Sequence, residues 1–267
     1  MSLLYRFFKR SNAPLLPNAL ICYHKGRIVR PHPPFPAAPL GSEMIVNLPQ
    51  IHILPGLTSY AEALASLDTV MQAVKEKTSP EAIMLLEHPP IYTGGTSAQD
   101  SDLLANTGIE TVSTGRGGQW TYHGPGQRII WPVLDLTKRA QDVRLYVYQL
   151  EGWMIDVLAS FGIEGLRREG LPGIWVQRRD IGLSDKLDKI VAIGVRISRW
   201  VTSHGMAFNL DPELSHYDGI VPCGVTDGGV TSLADLGLII SQAELDMAIQ
   251  DCFAAHFGPD SPLAIRS

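Results

Sequence analysis

Cys223 lies in Ile220-Val-Pro-Cys-Gly224, between a proline and a glycine. A turn of this kind is a poor place for a core cysteine, so the thiol is a candidate nucleophile. A thiolate suits acyl transfer, because acyl thioesters exchange readily with thiols and amines. A free thiol with a pKa of about 8.5 is only a few per cent ionised at neutral pH, and a nearby ammonium lowers that pKa. Lys189 is the candidate for that charge and for relaying protons. It opens the run Lys-Ile-Val-Ala-Ile-Gly-Val-Arg196; taken alone, a lysine there reads as a charge snorkelling from a sheet rim. The other two cysteines read differently. Cys252 follows Leu245, Ala248 and Ile249 at helical spacing and reads as core packing. Cys22 falls in a basic N-terminal extension.

The second chemical feature is the block from Arg116 to Gln127. It carries Gly117, Gly118, Gln119, Trp120, Thr121, Tyr122 and His123, then Gly124-Pro-Gly126. Glycine is used where the backbone takes φ > 0 or lets another group come close. Strands are expected on either side, at Ile109 to Ser113 and Ile129 to Leu134. The block reads as a ligand cradle or as a plain Gly-rich hairpin connection. No Lys-Ser/Thr follows the glycine cluster, which excludes a P-loop. Two further small-residue stretches, Ala192-Ile193-Gly194 and Gly205-Met206-Ala207, leave gaps that a ligand chain would fill. His204 adjoins the second. His88, in a Pro/Gly-rich stretch, reads as a site residue or, more commonly for a loop histidine, as a solvated or capping one.

These residues must be held by surrounding elements. Ile51 to Leu54 suits a strand ended by Pro55-Gly56. Ser59 and Glu62 form a capping box for a helix over 59–77, with Leu64, Leu67, Met71 and Val74 on its buried stripe. Ala82 to Leu86 is a short strand, and Glu87 to Gly95 a fixed loop. Asp142 to Phe161 reads as a helix stopped by Gly162. Gly173 to Gln177 is a strand, and Arg178 to Asp188 an exposed charged loop. Lys189 to Trp200 reads as the strongest strand, apolar on both faces at its centre. Ser241 and Glu244 cap the helix that holds Cys252. Strands and helices alternate irregularly, which predicts a mixed sheet with helices packed on it.

Composition sets the outer bounds. The 267 residues are 45% hydrophobic and 18% charged, ordinary for a globular protein. No apolar run is long enough to span a membrane. Three scattered cysteines suggest neither a disulfide framework nor a zinc site, and point to a reducing compartment. Residues 1–42 hold six basic residues and no acid, leaving 16 basic against 27 acidic residues in the remainder. An acidic body argues against general nucleic-acid binding. Residues 1–43, basic and Pro-rich, read as a disordered extension or as a start assigned before a true start at Met44. A mitochondrial-type transit segment is the alternative. Residues 44–267 show no repeat and no internal boundary, and read as one catalytic domain.

Taken together, four blocks resemble the lipoyl(octanoyl) transferase family. They are Leu86-Glu-His-Pro-Pro-Ile-Tyr-Thr93; Arg116 to Gln127; Lys189 to Arg196 with Val201-Thr-Ser-His-Gly205; and Ile220 to Gly224 followed by Val230-Thr-Ser-Leu233. No single block is specific, but their combination and order are. The chain departs from the family pattern at Trp131, where tyrosine is usual, and at Phe208, where leucine is. The stretch 178–188 is longer than expected and makes Lys186 a rival to Lys189, although the Ile-Val-Ala-Ile-Gly that follows favours Lys189. The resemblance implies the α/β (α+β) fold of biotin and lipoate protein ligases, a mixed, largely antiparallel sheet flanked by helices.

It also implies an activity. An octanoyl group passes from acyl carrier protein through a thioester on Cys223 to a lysine of a lipoyl domain, with Lys189 lowering the thiol pKa and moving protons. Acyl binding falls to Arg116 through His123, Ala192 to Gly194 and Gly205 to Ala207, with His204 in support. The implied partners are acyl carrier protein, the lipoyl domains of 2-oxoacid dehydrogenase acyltransferase subunits and the glycine cleavage H protein. No metal or other cofactor, nucleic acid or membrane is implied, and the expected location is the cytoplasm, or the mitochondrion if residues 1–42 are a transit segment. Three other activities compete. An ATP-dependent lipoate or biotin ligase tends to carry aspartate after the histidine of the Gly-rich block, where this chain has Gly124. A non-catalytic acyl-binding protein would not need Cys223. A papain-like hydrolase would need a histidine base with an orienting partner.

Overall fold

The computed structural model describes residues 23–24, 27–28, 48–104, 108–221 and 228–263. Contacts divide the chain into two units, 1–45 and 46–267. In the first, β1 (Tyr23–His24) and β2 (Arg27–Ile28) pair antiparallel. Cys22 and the rest of residues 1–47 lie outside the described residues. The second unit runs through β3 (Gln50–Leu57), α1 (Tyr60–Lys75), β4 (Ala82–Glu87), β5 (Ile91–Gly94), β6 (Glu110–Ser113), β7 (Trp120–His123) and β8 (Gln127–Val133). It continues with α2 (Val143–Ser160), β9 (Leu166–Arg168), β10 (Leu171–Arg178), β11 (Leu183–Ser198), β12 (Val201–Asn209), β13 (Gly229–Val230) and α3 (Gln242–Phe257).

The main sheet has the order β3-β4-β8-β12-β11-β10-β9, with β13 added beside β11. Only β3–β4 and β11–β13 are parallel within it. It is the mixed sheet with packed helices that the residue pattern predicts, in the largely antiparallel form that the family resemblance implies. A second sheet, β6-β5-β7, carries the Gly-rich block.

Period-two alternation builds the layers. Ile83, Leu85, Ile130 and Phe208 point to one face, where α2 supplies Leu150, Trp153 and Val157 and α3 supplies Leu245, Ile249 and Phe253. Met84, Leu86, Ile129, Trp131 and Ala207 point to the other, where α1 supplies Tyr60, Ala63, Leu67 and Val74. The helices start where expected. Ser59 and Glu62 form a capping box, as do Ser241 and Glu244, and Asp142 accepts from two backbone N–H groups of α2. Gly162 follows α2 at φ 78°. Cys252 packs, half-buried, against the α2/α3 core.

Four expectations need correction. β3 does not stop at Pro55-Gly56 but runs to Leu57, with its pairing register broken between Ile53 and Leu57. Proline is tolerated there because β3 is an edge strand and its missing N–H faces no partner. Glu87 to Gly95 is not all loop, since Ile91–Gly94 is β5. Its prolines precede the strand and do not interrupt it. Arg178 to Asp188 is not an exposed loop either. Arg178 ends β10, β11 already begins at Leu183, and Arg178 and Asp188 are both buried as an ion pair. Finally, Leu64 and Met71 are only partly buried on α1, where Tyr60 and Ala63 take the inner positions.

Candidate active site

A cavity of about 390 Å³ opens between the Gly-rich block, β11 and β12. Arg116, Gly117, Gly118, Gln119, Trp120, Thr121 and His123 line it, together with Lys189, Ala192, Ile193, Gly194, His204, Gly205, Met206 and Ala207. Three separate stretches of sequence thus meet in one space. Tyr122 does not reach it. Its ring is buried in a cluster with Tyr92 and Tyr217, and its hydroxyl meets His216 Nδ1 at 2.8 Å. Burial pushes that hydroxyl up to about 12.

Arg116 is a brace. Its Nη2 donates to the Thr93 carbonyl at 2.6 Å, to Thr93 Oγ1 at 2.8 Å and to the Gln119 carbonyl at 3.0 Å, and Nη1 donates to the Gly117 carbonyl at 3.0 Å. One guanidinium therefore ties the block to β5. The Gly117 N–H donates to the Val195 carbonyl at 2.9 Å and ties the block to β11. Two glycines have a different use from the one expected. A Cβ on Gly194 would sit 2.9 Å from the Gly117 carbonyl and 3.2 Å from Arg116 Cδ. A Cβ on Gly205 would run into the Ile130 carbonyl. Both missing side chains admit neighbouring backbone, and the cavity lies beside the contacts they allow.

Lys189 reaches the cavity through a β-bulge. Ile174 pairs with Val191 and Trp175 with Lys189, so β11 carries one extra residue, Ile190. Ile190 and Val191, although consecutive, both enter the α2/α3 core. Lys189 is thereby turned to the face of Ala192 and Gly194, against strict alternation. Its Nζ donates to the Pro172 carbonyl at 3.1 Å and lies 4.7 Å from the Trp175 ring centre. Gly173, at φ 126°, gives room for the lysine stem, since a Cβ there would lie 3.2 Å from Lys189 Cε. Lys186 instead pairs with Asp188 at 3.3 Å and does not line the cavity. β13 runs beside this point, pairing Val230 with Lys189, and the Thr231 N–H donates to the Lys189 carbonyl at 3.0 Å. Cys223 itself lies outside the described residues, between Val221 and Gly228.

His88, His123 and His204 are buried and neutral. His123 Nδ1 meets Gln127 Oε1 at 2.6 Å, and Gln127 Nε2 donates to the Tyr122 carbonyl, Asn209 Oδ1 and the Tyr217 hydroxyl. The amide oxygen therefore accepts, and His123 carries its proton on Nδ1. Its Nε2 is left to accept from Thr93 Oγ1 at 3.1 Å, since that oxygen already receives Arg116. Burial, then the neighbouring His88 and Arg116, holds His123 well below the usual histidine range. With its one lone pair occupied, His123 is not a base. His204 has φ 56°, rare in a strand. The turn carries its ring onto Trp131, 5.5 Å between centres, with Nε2 3.3 Å from the Tyr60 hydroxyl. Burial, with Arg116 and Arg196 nearby, pushes it down to about 4. His88 is fully buried, not solvated as expected. Its Nδ1 donates to the Thr58 carbonyl at 2.7 Å, and burial lowers its pKa.

Comparison with known proteins places this geometry. The family model described as "Lipoyl protein ligase A/B catalytic domain" matches residues 59–254. An octanoyltransferase of Dinoroseobacter shibae is 49% identical over 211 residues, covering 78% of this chain and 96% of its own. One from Brucella melitensis is 51% identical over 211 residues, covering 78% and 80%. The chain belongs to the octanoyltransferase family. It is thus an enzyme, an acyltransferase. Among solved structures, a lipoate-protein ligase A bound with ATP matches with a TM-score of 0.59 at 14% identity, covering 77% of this chain and 84% of that one. A bipartite lipoate protein ligase from Thermoplasma acidophilum matches at 0.58 and 14%, covering 78% and 83%. These distant structures share the fold.

Within this family member, sequence reasoning missed Tyr60 and Trp131, which close one end of the cavity beside His204. Tyr60 opens α1 directly after the Ser59 cap, so its place at the helix N-terminus was readable. The left-handed backbone at His204 had no signal. The histidines also carry a prediction. All three fold with pKa values below the unfolded 6.5, so the unfolded chain binds protons that the folded chain refuses. Their stabilisation is complete above about pH 6.5 and is lost as pH falls toward 4. For His204, the fall to about 4 corresponds to on the order of 3 kcal/mol. Urea midpoints should drop steeply between pH 6.5 and 4, and His204→Gln should flatten that slope. An unchanged slope in the variant would rule out this account.

Proposed function

We propose that this enzyme transfers an octanoyl group from octanoyl-acyl carrier protein to a lysine of a lipoyl domain, through a thioester on Cys223. One observation carries the reading. The Ile190 bulge turns a buried lysine into the acyl-sized cavity, beside the strand that follows Cys223 in sequence. The names of the relatives support the octanoyl group, and the lipoate-ligase-like fold supports a lipoyl-domain acceptor. The reading needs no metal or cofactor beyond the phosphopantetheine of the donor. The acceptors would include the lipoyl domains of 2-oxoacid dehydrogenase acyltransferase subunits and the glycine cleavage H protein. The expected location, the cytoplasm, or the mitochondrion if residues 1–42 are a transit segment, remains part of this reading.

The reaction has two halves. The Cys223 thiolate attacks the octanoyl carbonyl, forming a new S–C bond, and the bond to the phosphopantetheine sulfur breaks. Lys189 gives its proton to that leaving thiolate. Backbone N–H groups near Cys223 and the Gly-rich block would hold the oxyanion. The ε-amine of the acceptor lysine then attacks the acyl-cysteine. Neutral Lys189 takes a proton from that amine, the N–C bond forms, and the Cys223 thiolate leaves. His123 is excluded as the base by its occupied lone pair. The hydrocarbon chain would lie along Ala192, Gly194 and Ala207 toward Trp131 and Tyr60.

Intact-protein mass spectrometry after mixing with octanoyl-acyl carrier protein tests this. One hydroxylamine-labile octanoyl adduct is expected on the wild type and on Cys252→Ala, and none on Cys223→Ala. No adduct on any of the three, with turnover from octanoate plus ATP, would move the chain to ligase chemistry.

A further inference from the structure

Outside the cavity, an ionic cluster ties Lys189 to the segment that follows Cys223. Asp188, the neighbour of Lys189, is 1% exposed. Its Oδ2 accepts from Arg178 Nη1 at 2.9 Å and its Oδ1 accepts the Gly229 N–H at 2.7 Å, with the Lys186 ammonium at 3.3 Å. Arg178 Nη1 also lies 3.0 Å from Asp235 Oδ2, which accepts the Thr231 hydroxyl at 2.6 Å. Its Nε and Nη2 donate to Asp180 at 3.0 and 2.9 Å. One guanidinium thus gathers carboxylates from β11, from the turn after β10 and from the turn after β13.

The sheet does not need this cluster to close, since β10 and β11 are already paired along their length. β13, in contrast, is only two residues long. A strand so short has too few ladder bonds to fix its own register. The charge-assisted bond from the Gly229 N–H to Asp188 supplies what the ladder lacks. It sets Gly229 opposite Asp188 and Val230 opposite Lys189. On the upstream side, the Val221 N–H donates to the Asp102 carbonyl at 2.8 Å. The chain carrying Cys223 therefore leaves from one fixed point and returns to another.

We propose that Asp188, braced by Arg178, is a positioning residue for acyl transfer, holding the strand that follows Cys223 in register with Lys189. This rests on the assignment of Cys223 and Lys189 as the reacting pair. Misplacing reacting groups by about 1 Å costs on the order of 100-fold in rate, so the register is where the cluster acts on chemistry.

Two variants test it from opposite sides. Asp188→Asn removes the charge. Gly229→Ala keeps every charge of the cluster but sets a Cβ 2.7 Å from Asp188 Oδ1, so the contact must open. The readouts are amide hydrogen exchange of the peptide spanning residues 229–233, single-turnover acylation by octanoyl-acyl carrier protein, and donor KM. Both variants should keep the wild-type circular dichroism, exchange faster and acylate ~10-fold or more slowly, with KM within about twofold. If Asp188→Asn does not fold, Gly229→Ala decides alone. Wild-type acylation by a folded Gly229→Ala, or exchange left unchanged, overturns the proposal while the acyl-transfer reading stands. A wild-type enzyme that forms no adduct removes that reading and this one with it.

Discussion

Lys189→Met is expected to lower octanoyl transfer by about 10²–10⁴-fold, the usual worth of a positioned proton donor and acceptor. Methionine fills the channel beside Gly173 and Trp175 that the lysine stem occupies, so folding should survive. What disappears is the charge. Without it the Cys223 thiol should titrate near the free value of about 8.5, readable as an upward shift in the pH profile of iodoacetamide alkylation. Lys189→Arg separates the charge from the proton transfer. A guanidinium keeps the charge but does not deprotonate, so the thiol should still alkylate at low pH while octanoyl transfer stays lost for want of a proton donor and base. Wild-type turnover in the methionine variant would remove Lys189 from the mechanism.

Asp246→Ala should destabilise the fold by about 3–5 kcal/mol, the cost of leaving a buried charge unpaired. Arg128 of β8 is 1% exposed and meets Asp246 of α3 through two bonds, Nε to Oδ1 at 2.8 Å and Nη2 to Oδ2 at 2.6 Å. For a chain of this size the loss corresponds to a Tm lower by on the order of 10 °C. Replacing both partners, Arg128→Met with Asp246→Leu, should recover much of it, because no charge is then left stranded. A single-variant loss below about 1 kcal/mol in urea unfolding would show that water reaches the guanidinium.

The layers were legible because alternation and capping are local. Ala82 to Leu86, the two capping boxes and Gly162 each announce their element within a few residues. The candidate site was legible as residue types in four blocks, and the cavity gathers three of the stretches they define. What could not be read depends on partners distant in sequence. Arg116 was assigned to acyl binding with the rest of its block, yet two of its donor bonds reach back 23 positions to Thr93 and brace the loop against β5. Gly194 and Gly205 looked like room for a ligand, yet each admits a backbone carbonyl from another segment. The charges of Arg178 and Asp188 suggested solvent, because pairing across ten positions leaves no trace in a local window. Tyr122 sits in the block with the right neighbours, but its side chain belongs to the opposite side of β7.

The extra residue at Ile190 also bears on folding fidelity. In a sheet, sliding a strand by one position exchanges its faces. If β11 formed without the bulge, the Lys189 ammonium would be driven among Trp153, Leu150 and the other side chains packed under α2, where a lone charge is not tolerated. The residue proposed to move protons therefore also rejects the wrong strand register. The other register carries the cost of burying that amine, so misaligned but compact forms of the enzyme should be rare.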